Sequence, residues 1–160
     1  MRGIIHEKSF EWYTYMNIVT QPIRDEVAQY NWLISSYDCN CYPDDRISYE
    51  NDFTWISGSD LLSILDQHEI QFIWGVFSAF PKEIALDNIL AYKLPYADGY
   101  TGFWHNPISL QHPLAVMELV PWDSSLFLLI SKDDETISKF IAAFPEAKDL
   151  EEYNAEEVEK

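Results

Sequence analysis

The chain predicts an α+β domain: one mostly antiparallel β-sheet with helices packed on one face. Three observations point there. Short aromatic and β-branched runs recur between segments of helical spacing in no regular βαβ order. Two apolar runs, 114–121 and 124–131, are split only by Trp122 and Asp123, which reads as a hairpin and so as antiparallel pairing. Finally, 160 residues with 48% hydrophobic content suffice for one core.

Along the chain, residues 9–19 (SFEWYTYMNIV) are rich in strand-forming types and predict a first strand. Thr20 is placed to cap a short helix, with Pro22 in its first turn and Asp25 and Glu26 near its N-terminal dipole. Ile23, Val27 and Tyr30 fall at helical spacing. Residues 32–42 predict a second strand that Pro43 ends. A polar loop over 43–54 follows. Ser59 is placed to cap a helix whose buried face is Leu61, Leu62, Ile64 and Leu65. The apolar segment 70–80 predicts a central strand buried on both faces, with Gly75 permitting close packing or a bulge. Residues 82–92 give a ragged helical pattern.

Residues 93–113 contain Pro95, Gly99, Gly102, Pro107 and Pro113 and predict the longest loop. After the hairpin, Asp133 or Asp134 caps a helix with an apolar stripe of Ile137, Phe140, Ile141 and Phe144, ended by Pro145. The expected organisation is a single domain over 1–147 and an acidic tail over 148–160 that frays, with docking of its first part through Leu150, Tyr153 and Val158 as the alternative. From Glu146 to Lys160 there are seven acidic residues and two lysines.

Charge is the strongest functional signal. Twenty-seven Asp and Glu against ten Lys and Arg give a formal net charge of −17. With 16% aromatic residues the chain is a packed domain with a negative skin, not an acidic disordered segment. Such a field repels nucleic acid and anionic lipid and speeds encounter with a basic protein. The N-terminus lacks the apolar core of a signal peptide and no apolar run is long enough to span a bilayer, so a cytoplasmic protein without membrane contact is expected.

Few residues carry a recognisable chemistry. There is no glycine-rich phosphate loop, Gly-x-Ser-x-Gly elbow or His-Glu-x-x-His motif. Cys39 and Cys41 would share one strand face, but two further metal ligands would be needed, with His105 and His112 the only histidine candidates. The adjacent pairs Asp44–Asp45 and Asp133–Asp134 suit a turn and a cap rather than carboxylates facing across a cleft. The expectation is therefore no enzyme activity, no cofactor and no metal.

An acidic block stands out instead. Asp38, Asp44, Asp45, Glu50, Asp52 and Asp60 are opposed only by Arg46, with Tyr37, Tyr42, Tyr49, Phe53 and Trp55 interleaved. Carboxylates give steering and register, and aromatic rings give the buried anchors of a protein interface. The expected partner-binding residues are Asp38, Tyr42, Asp44, Asp45, Tyr49, Glu50, Asp52 and Trp55. The 93–113 loop offers an alternative site for a small ligand or a carbohydrate, with Tyr96, Tyr100, Trp104 and His105 as a stacking platform. Packing of that loop back onto the sheet is the competing expectation.

The stretch from Glu118 to Asn154 carries Trp122-Asp123-Ser124-Ser125, an apolar strand, a helix ending Phe144-Pro145, and Asp149-Leu150-Glu151-Glu152-Tyr153-Asn154. It resembles the C-terminal end of small acidic bacterial proteins, some of them similar to immunity proteins of polymorphic toxin systems. No site residue carries over. The resemblance implies a cytoplasmic inhibitor that covers the active site of a basic toxin, a nuclease for instance, with carboxylates occupying a groove built for phosphates.

Overall fold

Each of Leu128, Leu129 and Ile130 is fully buried. Successive residues of a strand point to opposite faces, so the sheet that holds them is covered on both sides. A computed structural model describes residues 1–7 and 14–158 of the chain. It has a seven-stranded sheet, all of its pairings antiparallel. The elements in chain order are β1 (Arg2–His6), α1 (Met16–Thr20), a 3-10 turn (Gln21–Ile23), α2 (Arg24–Gln29), β2 (Asn31–Cys39), β3 (Phe53–Ser57), α3 (Gly58–Gln67) and β4 (Phe72–Phe80). There follow α4 (Leu86–Leu90), a 3-10 turn (Gly102–Trp104), β5 (Met117–Trp122), β6 (Leu126–Ser131), α5 (Asp134–Ala143), β7 (Lys148–Asp149) and α6 (Leu150–Val158). The strand order across the sheet is β3-β2-β4-β5-β6-β1-β7.

Helices α1, α2, α3 and α5 cover the first face, where Val19, Val27, Leu61, Leu65, Ile137 and Phe140 meet Trp32, Ile34, Phe77, Leu119 and Leu129. The expected α+β class holds, with an antiparallel sheet and a helical layer. The second face carries the long connection from β4 to β5 together with α4 and α6. Ala97, Phe103 and Ile108 of the connection and Leu150 of α6 lie over Ile5, Val76, Val120, Leu128 and Ile130. Ile89 of α4 joins Leu33, Phe80 and Ala115.

Several local expectations change. Residues 16–19 are helical, not part of a strand; residues 9–13 lie outside the described residues. Met16, Val19, Thr20 and Ile23 are all buried at helical spacing, and tertiary packing of that stripe outweighs the strand preference of the β-branched residues. Thr20 caps nothing: its hydroxyl donates to the Met16 carbonyl at 2.6 Å, one turn back. The cap of α3 is Ser57, whose hydroxyl accepts from Asp60 N at 3.2 Å, while Ser59 is exposed inside the helix. The helix expected over 82–92 is the single turn α4. The cap of α5 is Asp133, whose carboxylate accepts from Glu135 N at 3.2 Å, Thr136 N at 3.1 Å and Thr136 Oγ1 at 2.6 Å.

Two elements had no sequence expectation as they stand. β1 pairs with β6 over its whole length and buries Ile4 and Ile5. The tail, expected to fray, forms β7 and α6 instead. Leu150 is fully buried, and Asn154 Nδ2 donates to the Phe103 carbonyl at 3.0 Å. Tyr153 OH donates to Glu7 at 2.9 Å.

Gly75 sits where β2 bulges: a Cβ there would lie 3.2 Å from Tyr37 Cβ, and the register of β2 on β4 shifts between Ser35 and Asp38. The β5–β6 turn holds Asp123 and Ser124 in left-handed conformation at φ 49° and 55°, the twist that tight hairpins require.

Gly58 joins β3 to α3 with no room for a side chain. A Cβ would stand 1.8 Å from the Val27 carbonyl oxygen and 2.9 Å from that of Tyr30, both backbone atoms. Gly58→Ala is expected to cost about 3 kcal/mol, at the upper end of what overpacking does. Urea unfolding measures this, and an unchanged midpoint would contradict the contact.

Candidate interaction surface

The end of β2, the 40–52 loop and β3 form one continuous edge of the molecule. Tyr37 ties the loop down: its hydroxyl donates to the Ser48 carbonyl at 3.0 Å, accepts from Ser48 N at 3.2 Å and lies 2.9 Å from Thr54 Oγ1. Thr54 Oγ1 in turn donates to the Arg46 carbonyl at 2.6 Å. Ile47 is the loop's buried anchor. The exposed carboxylates are thus displayed on a held backbone.

The predicted partner-binding residues do not all converge. Tyr42 and Tyr49 meet edge to face, 5.8 Å between ring centres. Tyr42 OH accepts from Cys39 N at 3.0 Å and donates to Asp38 Oδ1 at 3.3 Å. Tyr49 is 74% exposed and reaches Glu50 Oε1 at 3.4 Å. Asp38, Tyr42, Tyr49 and Glu50 therefore form one patch.

Asp44 is already engaged: Arg46 holds both its oxygens, at 2.9 and 2.8 Å. That fork lowers its pKa to about 2. Asp45 and Asp52 are exposed and make no ion pair with a described residue. Trp55 departs from the group. Alternation along β3 turns it to the second face, where its ring lies 6.0 Å from Phe80.

The loop aromatics pack back onto the sheet. Tyr96 and Tyr100 meet edge to face at 5.4 Å, and Tyr100 meets Phe103 at 4.7 Å. Trp104 meets Trp122 at 5.0 Å, and Trp122 meets Trp74 at 4.9 Å. Tyr96, Tyr100 and Trp104 are half-buried and His105 is exposed, so they do not form a single open platform. Trp104 alone of the four lines a depression of about 320 Å³, shared with Leu126, Tyr153 and Asn154.

What pins this loop is a buried residue that pattern reading passed over. Glu118, fully buried on β5, accepts from Gln111 N at 2.7 Å, His112 N at 2.9 Å and Ser78 Oγ at 3.3 Å. Gln111 clasps Tyr96 at both ends, accepting from its N at 2.7 Å and donating to its carbonyl at 2.9 Å. Ser35 Oγ donates to the Pro95 carbonyl at 2.8 Å.

His112 is also buried. Leu114 N donates to its Nδ1 at 3.2 Å, which leaves the proton on Nε2 to donate to the Ile89 carbonyl at 3.1 Å. Both ring nitrogens are therefore used by the backbone. The signal for Glu118 was a single acid inside an otherwise apolar strand, Met117–Trp122. Burial pushes the Glu118 carboxyl up to about 7, against the lowering effect of its three donors and of the Lys132 charge.

Cys39 is buried and Cys41 exposed, so they do not present a common face as two ligands. Burial pushes the Cys39 thiol far up. Among the described residues no three His, Cys, Asp or Glu side chains are grouped to hold a metal ion, and no helix is long and apolar enough to cross a membrane. No protein-family model, curated protein or solved structure matches the chain.

Between its unfolded value of 4.5 and about 7, the folded state keeps a Glu118 proton that the unfolded chain has lost. This contribution to stability is full below the unfolded value and falls by about 3 kcal/mol as pH rises through the interval. His6 and His112, lowered by burial, act in the opposite sense over part of the same range. The difference between the native protein and Glu118→Gln therefore isolates the effect. Unfolding across pH 5 to 8 is expected to show the native protein losing stability relative to the variant, and parallel curves would contradict it.

Proposed function

We propose that this chain is a cytoplasmic binding protein, without enzymatic activity of its own, that inhibits a basic protein by covering its active site. An immunity-type inhibitor of a toxin nuclease is the form that best fits. The observation that carries this reading is the state of the surface carboxylates. Of 27 acidic residues, only Glu26 and Glu118 are buried among those described. Asp38, Asp45, Glu50, Asp52 and Asp60 make no ion pair with a described residue. Carboxylates that are exposed and unneutralised hold their field for a partner. Tyr49 stands among them as an exposed ring able to bury on contact.

A groove built to hold phosphates is lined by Lys and Arg. A row of carboxylates on a fixed backbone matches such a groove in charge and in hydrogen-bonding capacity. The resemblance of the stretch from Glu118 to Asn154 to immunity-type proteins points the same way. Asp44 contributes less to such a partner than its neighbours, because Arg46 already occupies both its oxygens.

The test starts from affinity capture at low salt and continues with the captured basic protein in purified form. Adding this chain in equimolar amount is expected to abolish that protein's catalytic activity. Reversal of Asp45, Glu50 and Asp52 to lysine is expected to lower the association rate constant by about tenfold or more while leaving the unfolding midpoint close to native. Association that is unchanged by the reversals and by 1 M salt, where screening reaches to about 3 Å, would contradict the reading.

A further inference from the structure

We infer that the outer edge of β3 is a docking edge that accepts an extended, basic strand from the partner, adding it as the next strand of the sheet. The inference deepens the proposed function and rests on it for the basic nature of the partner.

The direction of the free backbone groups follows from the ladder. Gly58 N donates to the Tyr30 carbonyl at 2.9 Å, in continuous register with Asn31 opposite Ser57 and Leu33 opposite Trp55. Hydrogen-bonded pairs alternate along an antiparallel ladder. Thr54 and Ile56 therefore bond to β2, and the backbone N–H and C=O groups of Phe53 and Trp55 point outward, as does the N–H of Ser57. No described residue makes a hydrogen bond to the outward groups of Phe53 or Trp55.

An open edge is normally blunted by brevity, charge, proline or a bulge. The two edges of this sheet differ in this respect. At the far edge, β7 is two residues long. β3 is five residues long, FTWIS, with no charge and no proline, and its register with β2 is unbroken. Such an edge persists without self-association only if something else discourages the wrong strand.

The flanking charges do this and also choose the partner. Asp52 precedes the strand and Asp60 follows it in the first turn of α3. From Asp44 to Asp60 there are five acids and one base, Arg46. A second copy of this chain would bring the same carboxylates against themselves, at −17 per molecule. A lysine- or arginine-bearing strand would be drawn in instead. An incoming strand alternating apolar and basic side chains fits both flanks. Its apolar side chains would extend the half-buried row of Phe53 and Trp55 on the second face. Its basic ones would fall on the side of the acidic 44–50 loop, which Thr54 holds through the Arg46 carbonyl.

The experiment uses the intact protein, labelled for amide resonances, and a short peptide alternating lysine with valine. A second peptide of the same sequence is N-methylated at every residue, and a third carries glutamate in place of lysine. The first is expected to shift the amides of Phe53, Trp55 and Ser57 and to bind about tenfold or more tightly than the methylated peptide, which keeps the charge but loses the donors. Equal binding of those two, shifts confined elsewhere or no binding would overturn the edge while leaving inhibition by the acidic surface to stand on its own assay. Equal binding of the glutamate peptide would overturn the basic partner, and with it the reading of function on which the edge rests.

Discussion

Ile4 and Ile5, Phe127 and Leu128, Leu129 and Ile130 are neighbours in sequence that point to opposite faces of the sheet, and all are buried. Both faces must therefore be closed, and most of the architecture answers that demand. Four helices close the first face in the ordinary way, with apolar side chains turned to the sheet and their own internal hydrogen bonds. The second face is closed chiefly by a long connection with little regular structure. A loop laid over a sheet brings backbone donors and acceptors that have lost water, and each needs a partner. Glu118, Gln111, His112 and Ser35 are those partners. The cost of burying a carboxyl at Glu118 is offset by the loop it holds in place.

With both faces closed, what the fold leaves open to solvent is the perimeter. The two buried histidines, His6 and His112, are packed among aromatic rings. The carboxylates of the 40–52 loop lie outside, on a backbone stapled by Tyr37, Thr54 and Ile47, so their positions are fixed by the fold. Fixed charges steer encounter and lose little entropy on contact. Rigidity of the sheet and carboxylates held at its rim are two consequences of the same packing.

Much of this was legible in the sequence where local pattern and tertiary role coincide. The β5–β6 hairpin, α3, α5 capped at Asp133 or its neighbour Asp134, and the double-sided strand β4 follow from apolar period and turn chemistry. The departures have physical causes. The segment around Met16–Thr20 has strand-forming residues, but its buried positions recur at helical spacing, and packing decides. β1 has only two large apolar residues, and its strand character comes from its pairing with β6. The acidic tail reads as solvated because its charges outnumber its anchors, yet Leu150, Tyr153 and Asn154 dock α6. Of the expected binding residues, Asp38, Tyr42, Tyr49 and Glu50 come together as the acidic-aromatic block implied. Alternation along β3 takes Trp55 to the other face, and Arg46 takes Asp44. Glu118 was hidden because one acid in an apolar strand has no pattern to belong to.

Amide hydrogen exchange, read residue by residue on the free protein, tests the closed-faces, open-rim account most directly. The account predicts that Tyr96, Gln111 and His112, in a segment that reads as a loop, exchange as slowly as the central strands. It also predicts that Phe53 and Trp55 exchange quickly while Thr54 and Ile56, between and beside them, are protected. Fast exchange throughout 93–113 would show that the second face is not closed by a held loop. Protection of Phe53 and Trp55 would show that the rim is not open.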